Sequence, residues 1–152
     1  MHGILARLAA TFLVAAGLTV VAQAPAQAAA CQQGTGVTVV VNGSVSCVSG
    51  GGGTAATKFG QAGHTLAGVP NQPGAVCRVN GFPAPGQPCF ETNAYWGLFH
   101  ANGTGGGWQY ATVGAYSLSI PAGGWVAFVW QGSDNRTNPS MTPVGPAPAP
   151  QP

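Results

Sequence analysis

The hydrophobic pattern of the chain differs sharply between its first residues and the rest. Residues 8–22 form an apolar run of about 15 residues, preceded by Arg7 and followed by small and polar residues up to Ala30. A membrane-spanning helix needs roughly 20 such residues. Together with Ala26-Gln27-Ala28, which fits the small-x-small cleavage rule, the pattern predicts a cleavable signal peptide over residues 1–30.

Beyond this segment, short apolar stretches alternate with sequences typical of turns. Residues 36–41 are mostly β-branched and end at Asn42-Gly43, a strong hairpin signal, so residues 44–48 are expected to pair back. Five later segments also have strand-like patterns: residues 75–80, 94–101, 108–112 as the hairpin partner of 94–101, 116–120 and 125–131.

Residues 54–67 have the periodicity of a helix. Thr54 or Thr57 is a suitable N-cap, whereas Gly60 and Gly63 each weaken the helix by about 1 kcal/mol relative to alanine. The order of strands, one helix and further strands predicts an α+β domain with a mixed or mostly antiparallel sheet covered by that helix. The apolar residues that recur at roughly helical spacing are Ala55, Phe59, Ala62 and Leu66.

The C-terminal segment, residues 137–152, is rich in proline and contains no charged residue. Such a composition favours an extended or disordered tail that does not contribute to a core. The sequence therefore divides into a signal peptide (1–30), one folded domain (31–136) and a Pro-rich tail (137–152).

All four cysteines follow the predicted signal peptide, and an even number in a small exported domain indicates disulfide bonds. Four cysteines can pair in three ways. Because loop closure favours cysteines that are close in sequence, we expect Cys31–Cys47 and Cys77–Cys89. The spacing is too wide for a typical zinc site. Cys31 also follows three alanines, which leaves open the alternative that it carries a lipid anchor; we favour the disulfide and a freely secreted protein.

Charge is scarce along the chain: it has four Lys or Arg residues and two Asp or Glu residues. This balance offers neither a basic surface for nucleic acid nor a polybasic patch for anionic lipid. Few residues are available for catalysis by paired acid–base groups: the candidates are Glu91, Asp134, His64 and His100. No nucleophile motif is present. We therefore expect no enzymatic activity, no catalytic residue and no metal site.

Aromatic residues are the most informative chemical feature of the sequence. If Tyr95, Phe99, Val126 and Phe128 fill the core, Trp96 with Trp108 or Trp125 would form an exposed apolar face for a sugar ring, a corrinoid or a partner protein. The alternative is that these side chains pack in a core with few Leu and Ile residues. The predicted ligand-binding residues are Trp96, His100, Trp108, Tyr110 and Trp125.

A resemblance to a known family covers most of the chain after the signal peptide. It rests on the order and spacing of GVTVVV (36–41), AATKFGQAGHTLAGV (55–69), VCRVNGFP (76–83), YWGLFHA (95–101), GGWQY (106–110) and GAYSLSIPAGGWVAFVWQ (114–131). In these pieces the chain resembles the transcobalamin C-terminal-like domain family (DUF4430), and most closely its secreted actinobacterial branch.

The resemblance implies a β-grasp-like fold and a non-catalytic binding role, with cobalamin as a candidate ligand rather than a resident cofactor. We therefore expect a secreted, monomeric module, either free or associated with the cell wall, that binds a corrinoid or another small ligand at the cell envelope. The alternative is a structural or interaction domain of the cell surface that binds glycan or protein through exposed tryptophans. Neither hypothesis involves nucleic acid or a transmembrane segment.

Overall fold

The structure of the chain, a computed structural model, describes Gly17 and residues 29–152. The predicted signal peptide lies outside the described residues except at Gly17, Ala29 and Ala30. The elements, in chain order, are β1 Val37–Val41, β2 Ser44–Val48, α1 Ala55–Gln61, β3 Leu66–Val69, β4 Gln72–Val79, β5 Phe90–Glu91, β6 Ala94–Ala101, β7 Gln109–Tyr110 and β8 Trp125–Gln131.

Six of the strands form one mixed sheet. Its order is β2-β1-β8-β6-β5, with β7 also paired to β6. Strands β1 and β8 are parallel, whereas β2 pairs with β1, and β6 with β8, in antiparallel fashion. The N-terminal hairpin β1–β2 is followed in sequence by α1, and the last strand, β8, returns to lie parallel to β1 at the centre of the sheet. The predicted α+β class with a mixed sheet and one helix is confirmed.

The strand predictions at the centre of the sheet are confirmed because local pattern and tertiary pairing agree there. Asn42 and Gly43 both have positive φ (44° and 86°), as a two-residue hairpin turn requires. Strands β2, β6 and β8 have the predicted bounds, and β7 pairs with the end of β6 as expected. The short strand β5 and the strand β3 were not predicted.

Helix α1 is shorter than its sequence pattern suggested. It ends at Gln61, and Gly63 takes a positive φ of 88° while the amide of His64 donates to the carbonyl of Phe59. This glycine-dependent stop ends the helix and lets residues 66–69 form β3 instead, so the predicted helix over 54–67 is wrong in its second half. Thr54 is the N-cap, as one of the two predicted alternatives, and its hydroxyl accepts from the amide of Thr57.

The predicted strand at residues 116–120 is not formed. The segment has turns and a single bridge from Ser119 to Thr54. Instead, the carbonyls of Leu118 and of Ala115, just before the segment, accept hydrogen bonds from the first amides of α1. The amide of Ala55 donates to Leu118 and that of Ala56 to Ala115. The first amides of a helix have no partner inside the helix, so this loop caps α1 rather than extending the sheet.

Both faces of the main sheet are covered. On one face, Phe59 of α1 packs against Phe128 with ring centroids 4.5 Å apart, within a large apolar cluster that also contains Val39 and Val126. On the opposite face a smaller cluster is formed by Ala30, Val40, Phe99, Ala101, Trp125 and Ala127. Because both faces are buried, alternation along a strand does not separate core from surface residues in this domain.

The first part of the Pro-rich segment covers this second face. Met141 packs against the smaller cluster and Pro143 is buried. The indole Nε1 of Trp108 donates to the Met141 carbonyl at 2.7 Å, and the amide of Gln33 donates to the Pro146 carbonyl at 3.0 Å. The packed part of the chain thus reaches Pro146, ten residues beyond the predicted domain boundary; residues 137–146 are called the strap below.

Two disulfide bonds, Cys31–Cys47 and Cys77–Cys89, join the predicted pairs. The first ties the start of the domain to β2. The second ties β4 to the residue before β5. Since the Sγ of Cys31 is bonded to Cys47, it is not available for the thioether of a lipid anchor, and the disulfide interpretation of Cys31 is confirmed.

Candidate functional site

A cleft lies at the edge of the main sheet where β6 has no continuous neighbour. Strand β5 pairs with β6 only at Ala94 and Tyr95, and β7 pairs only at Phe99 and His100. The middle of β6 is left without a partner strand between them. This interruption arises because β5 and β7 are each only two residues long.

The cleft has an apolar floor and an aromatic rim. Its cavity has a volume of about 330 Å³, within the range of roughly 300–1,000 Å³ that is typical of small-molecule sites. Trp96, Leu98 and Phe128 form the floor, and residues 73–76 of β4, in hairpin β3–β4, and the loop at residues 111–117 form one side. The rim aromatics are exposed or half-buried: Phe90 (55% exposed), Tyr110 (37%) and Tyr95.

The side formed by hairpin β3–β4 depends on a close backbone approach. Gly74, at φ 86°, lies against Gly114, and a Cβ on Gly114 would collide with the Gly74 carbonyl. Only glycine fits at Gly114 without moving this side of the cleft, so the shape of the cleft is determined by backbone packing as well as by side chains.

A second hollow of about 430 Å³ adjoins the cleft and shares Phe90 and Tyr95 with it. Its other lining residues include Glu91, Asp134 and Arg136. The chain has two acidic residues and four Lys or Arg residues in all, so this one hollow contains both carboxylates and half of all these charges. The two hollows together are called the aromatic cleft below.

Arg136 and Tyr110 make the closest contact between a charge and a ring in the cleft. The guanidinium carbon of Arg136 lies 3.7 Å from the centroid of the Tyr110 ring, a cation–π arrangement. Partial burial, the neighbouring Tyr95 and a hydrogen bond between the two tyrosine hydroxyls raise the pKa of Tyr110 above its ordinary value of 10.0, against a smaller lowering by Arg136. Tyr110 is therefore neutral at physiological pH and its hydroxyl remains a donor.

Two of the five predicted ligand-binding residues lie at this cleft. Tyr110 is on the rim, and Trp96 is in the floor but only 7% exposed. The Trp96 indole is fixed in place, because its Nε1 donates to the Phe82 carbonyl at 2.9 Å and its ring packs edge-on against Trp130. Trp96 therefore contributes to the packing of the floor more than to an exposed surface.

The other predicted tryptophans lie on the opposite face of the sheet. Trp125 is 1% exposed, and Trp108 packs edge-on against it with ring centroids 5.9 Å apart, under the strap. The expected exposed face of Trp96 with Trp108 or Trp125 is thus not formed, since the residues lie on different faces and each face is covered. Tyr95 was expected to fill the core with Phe99, Val126 and Phe128. This expectation is wrong for Tyr95, which is only half-buried.

His100 lines a separate, smaller hollow. That cavity of about 280 Å³ also contains Asn102, Gln109 and the glycine-rich turn at 106–107. His64 lines yet another hollow with Thr57 and Tyr116, and its Nδ1 lies 2.9 Å from the Asn80 amide nitrogen. Within residues 29–152, the two histidines and the two carboxylates are therefore distributed over three different places on the surface, and neither His64 nor His100 lines the aromatic cleft.

Within residues 29–152, no group of three or more His, Cys, Asp and Glu side chains is placed to hold a metal ion. The described helices include none that is long and apolar enough to cross a membrane.

Sequence reasoning missed Phe90, Glu91, Asp134 and Arg136 as site residues. Glu91 and Asp134 are 43 positions apart in the sequence, and neither belongs to a recognisable motif. The sequence did contain one signal: in a chain with so few charged residues, Asp134 and Arg136 lie two positions apart. The pairing of β5 with β6 was required to bring these residues together.

The fold and the cleft define a small, disulfide-bonded α+β domain with one aromatic, charge-bearing cleft at a sheet edge. Comparison with known proteins adds no relative: no family model matches the chain, and neither the curated proteins nor the solved structures contain a significant match. The resemblance to the transcobalamin C-terminal-like family therefore stays a prediction.

Proposed function

We propose that this chain is a secreted, non-enzymatic module that binds a small ligand in the aromatic cleft. One observation carries the proposal: the cleft combines an apolar floor, three accessible aromatic rings and both carboxylates of the chain. Small-molecule sites are usually concave and mostly apolar, with a few polar groups that orient the ligand. The hollows lined by His100 and by His64 contain no carboxylate.

Secretion is part of this proposal. The two disulfide bonds support it, because such bonds persist in oxidising compartments outside the cytosol. The apolar run at residues 8–22 supports it from the sequence. A binding role, rather than catalysis, is supported by the separation of His64 and His100 from the carboxylates, which leaves no histidine of residues 29–152 beside Glu91 or Asp134.

The proposal is tested by measuring ligand-induced thermal stabilisation of the exported form of the protein. The probes are cobalamin, which the family resemblance implies, and a panel of small cyclic compounds. A probe present at tenfold its Kd stabilises the fold by about 1.4 kcal/mol, or roughly 4 °C or more for a domain of this size. Trp96 in the floor serves as a second, fluorescent reporter of cleft occupation.

Two variants locate the binding site. Phe90→Ala removes the most exposed ring of the cleft, and Tyr116→Ala, at a residue that is 50% exposed and lines a different hollow, is its matched control. We expect Phe90→Ala to abolish the stabilisation and Tyr116→Ala to retain it. Stabilisation that is equal in both variants, or absent with every probe, contradicts the proposal.

A further inference from the structure

The charges of the aromatic cleft restrict the net charge of its ligand. Glu91 and Asp134 are exposed carboxylates in the same hollow as the guanidinium of Arg136. Two carboxylates and one guanidinium leave a net negative charge, so an anionic ligand is repelled, whereas the attraction of the carboxylates for a cationic ligand is partly offset by Arg136. A neutral ligand meets no repulsion and can use all three side chains, since carboxylates accept hydrogen bonds and a guanidinium donates them.

Arg136 keeps its donors free although it contacts Tyr110. Its guanidinium carbon lies 3.7 Å from the ring centroid, so the guanidinium contacts the ring through its face. The N–H groups of a guanidinium lie in its plane, and stacking leaves them available to hydroxyl oxygens. The same contact also means that a cation of the chain itself already occupies the face of Tyr110 that would attract a cationic ligand.

The remaining rings of the cleft offer flat apolar surfaces. Phe90 is 55% exposed and Tyr95 is half-buried, and both line the two hollows. Phe90 and Tyr95 are directly opposite each other in the β5–β6 pair, and Glu91 and Asp134 line a hollow together with both rings. A ligand that contacts these rings is therefore within reach of a carboxylate, so the site suits a compact molecule with an apolar face and polar edges.

We infer that the aromatic cleft binds a neutral pyranose sugar, as a free glycoside or as the end of a glycan. The C–H face of the sugar ring lies against Phe90 and Tyr95, and its hydroxyls donate to Glu91 and Asp134 and accept from Arg136. This inference rests on the proposed function and specifies its ligand class. The hollows are open and the polar contacts few, so the affinity for one ring is in the millimolar range.

The experiment compares four probes that separate ring shape from charge. Methyl glucoside is the neutral ring, glucosamine its cationic and glucuronate its anionic counterpart, and sorbitol has similar hydroxyls without a ring. Binding is followed by amide chemical shifts of residues 90–98 and by Trp96 fluorescence. We expect methyl glucoside to bind at least tenfold more tightly than glucuronate and sorbitol and no less tightly than glucosamine, with little dependence on salt, because the ligand is uncharged.

Variants of single residues test the assigned contacts. Phe90→Ala is expected to weaken methyl glucoside binding at least tenfold, and Tyr116→Ala, at an equally exposed ring outside the cleft, to leave it unchanged. Asp134→Ala is expected to weaken binding severalfold, whereas Asp134→Asn, which keeps a hydrogen-bonding oxygen, retains most of it. Both Asp134 variants change an exposed side chain, so the fold is expected to tolerate them.

Three results overturn the inference. Equal binding of sorbitol excludes ring stacking, tighter binding of glucosamine or glucuronate excludes charge selection, and no shift with any of the four sugars excludes the ligand class. If cobalamin or a cyclic compound still occupies the cleft in that last case, the inference fails and the proposed function stands. If nothing occupies the cleft, both fail.

Discussion

Tyr110 shows how one side chain links the sheet to the cleft. It is opposite Phe99 in the β6–β7 pair, and the two rings pack edge-on with centroids 5.3 Å apart. The guanidinium of Arg136 lies over its ring, and the neighbouring Tyr95 contributes to raising its pKa. Deprotonation of Tyr110 would place an anion in a partly buried position beside a second tyrosine, which explains why its pKa is raised.

The raised pKa of Tyr110 predicts a loss of stability at alkaline pH. The folded protein keeps the proton more firmly than the unfolded chain, so the stabilisation is complete below about pH 10 and is lost as the pH rises through the higher pKa of the folded state. Thermal unfolding of wild type and Tyr110→Phe across this range is the measurement. We expect Tyr110→Phe to lose less stability than wild type.

The control for this effect is Tyr116→Phe. Tyr116 is half exposed, and its replacement is expected to leave the alkaline loss as in wild type. An identical decline in the Tyr110→Phe and wild-type proteins would contradict the assignment. Arg136→Ala should increase the effect, because the guanidinium lowers the pKa of Tyr110.

The strap is the element whose role differs most from its sequence pattern. It lies over the Trp108–Trp125 pair, and its first residue, Thr137, is bonded to Gln131, which is fully buried. The Gln131 side chain donates to the Thr137 carbonyl at 2.8 Å and accepts from the Thr137 amide at 2.7 Å. The strap has no regular secondary structure. It is held by hydrogen bonds to the side chains of Gln131 and Trp108 and by the packing of Met141 and Pro143.

Removal of the strap is expected to destabilise the domain. A chain that ends at Arg136 loses the two hydrogen bonds between Gln131 and Thr137 and the one from the Trp108 indole to Met141, and it exposes apolar surface, for a combined loss of about 3 kcal/mol. Urea denaturation measures this loss, and a red shift of tryptophan emission reports the exposure of Trp108 and Trp125.

A chain that ends at Pro146 provides the matched control for this truncation. It lacks only residues 147–152, all of which are exposed, so its stability should stay within about 0.5 kcal/mol of wild type. Equal stability of the two truncated chains would show that the strap adds nothing to the fold.

At the scale of the whole molecule, the two disulfides restrain different regions. Cys31–Cys47 joins the start of the domain to β2, at the edge of the sheet opposite the cleft. Cys77–Cys89 joins β4 to the residue before Phe90, so it restrains the strand that carries the aromatic rim. The sequence separations of 16 and 12 residues are similar, so the two bonds are expected to stabilise the fold to a similar extent.

Replacement of each cysteine pair by serine should therefore lower the free energy of unfolding by about 3 kcal/mol in both cases. The local effects should differ. Amide hydrogen exchange at Phe90 and Glu91 is expected to accelerate strongly without Cys77–Cys89 and to follow only the global loss without Cys31–Cys47. Equal protection of these two amides in both variants would contradict the role assigned to the second disulfide.

Local sequence signals were sufficient where a few neighbouring residues decide the outcome. The Asn42-Gly43 turn and the alternating apolar strands β2, β6 and β8 were predicted at their observed bounds, and the cysteine pairs were predicted from loop length. The same reasoning made the helix too long, because the competition between helix and strand at residues 62–69 is decided by a positive-φ glycine and by pairing with β4.

The sequence by itself determined the α+β class, the hairpin, the disulfide pairs and the scarcity of charge. Only the tertiary structure decided which aromatic residues face solvent. Strand alternation assigns side chains to two faces, but whether each face is covered depends on distant segments, here α1 on one side and the strap on the other. The aromatic cleft exists for the same reason: Phe90, Glu91, Tyr95, Tyr110 and Arg136 meet only because two short strands flank β6 and leave its middle open.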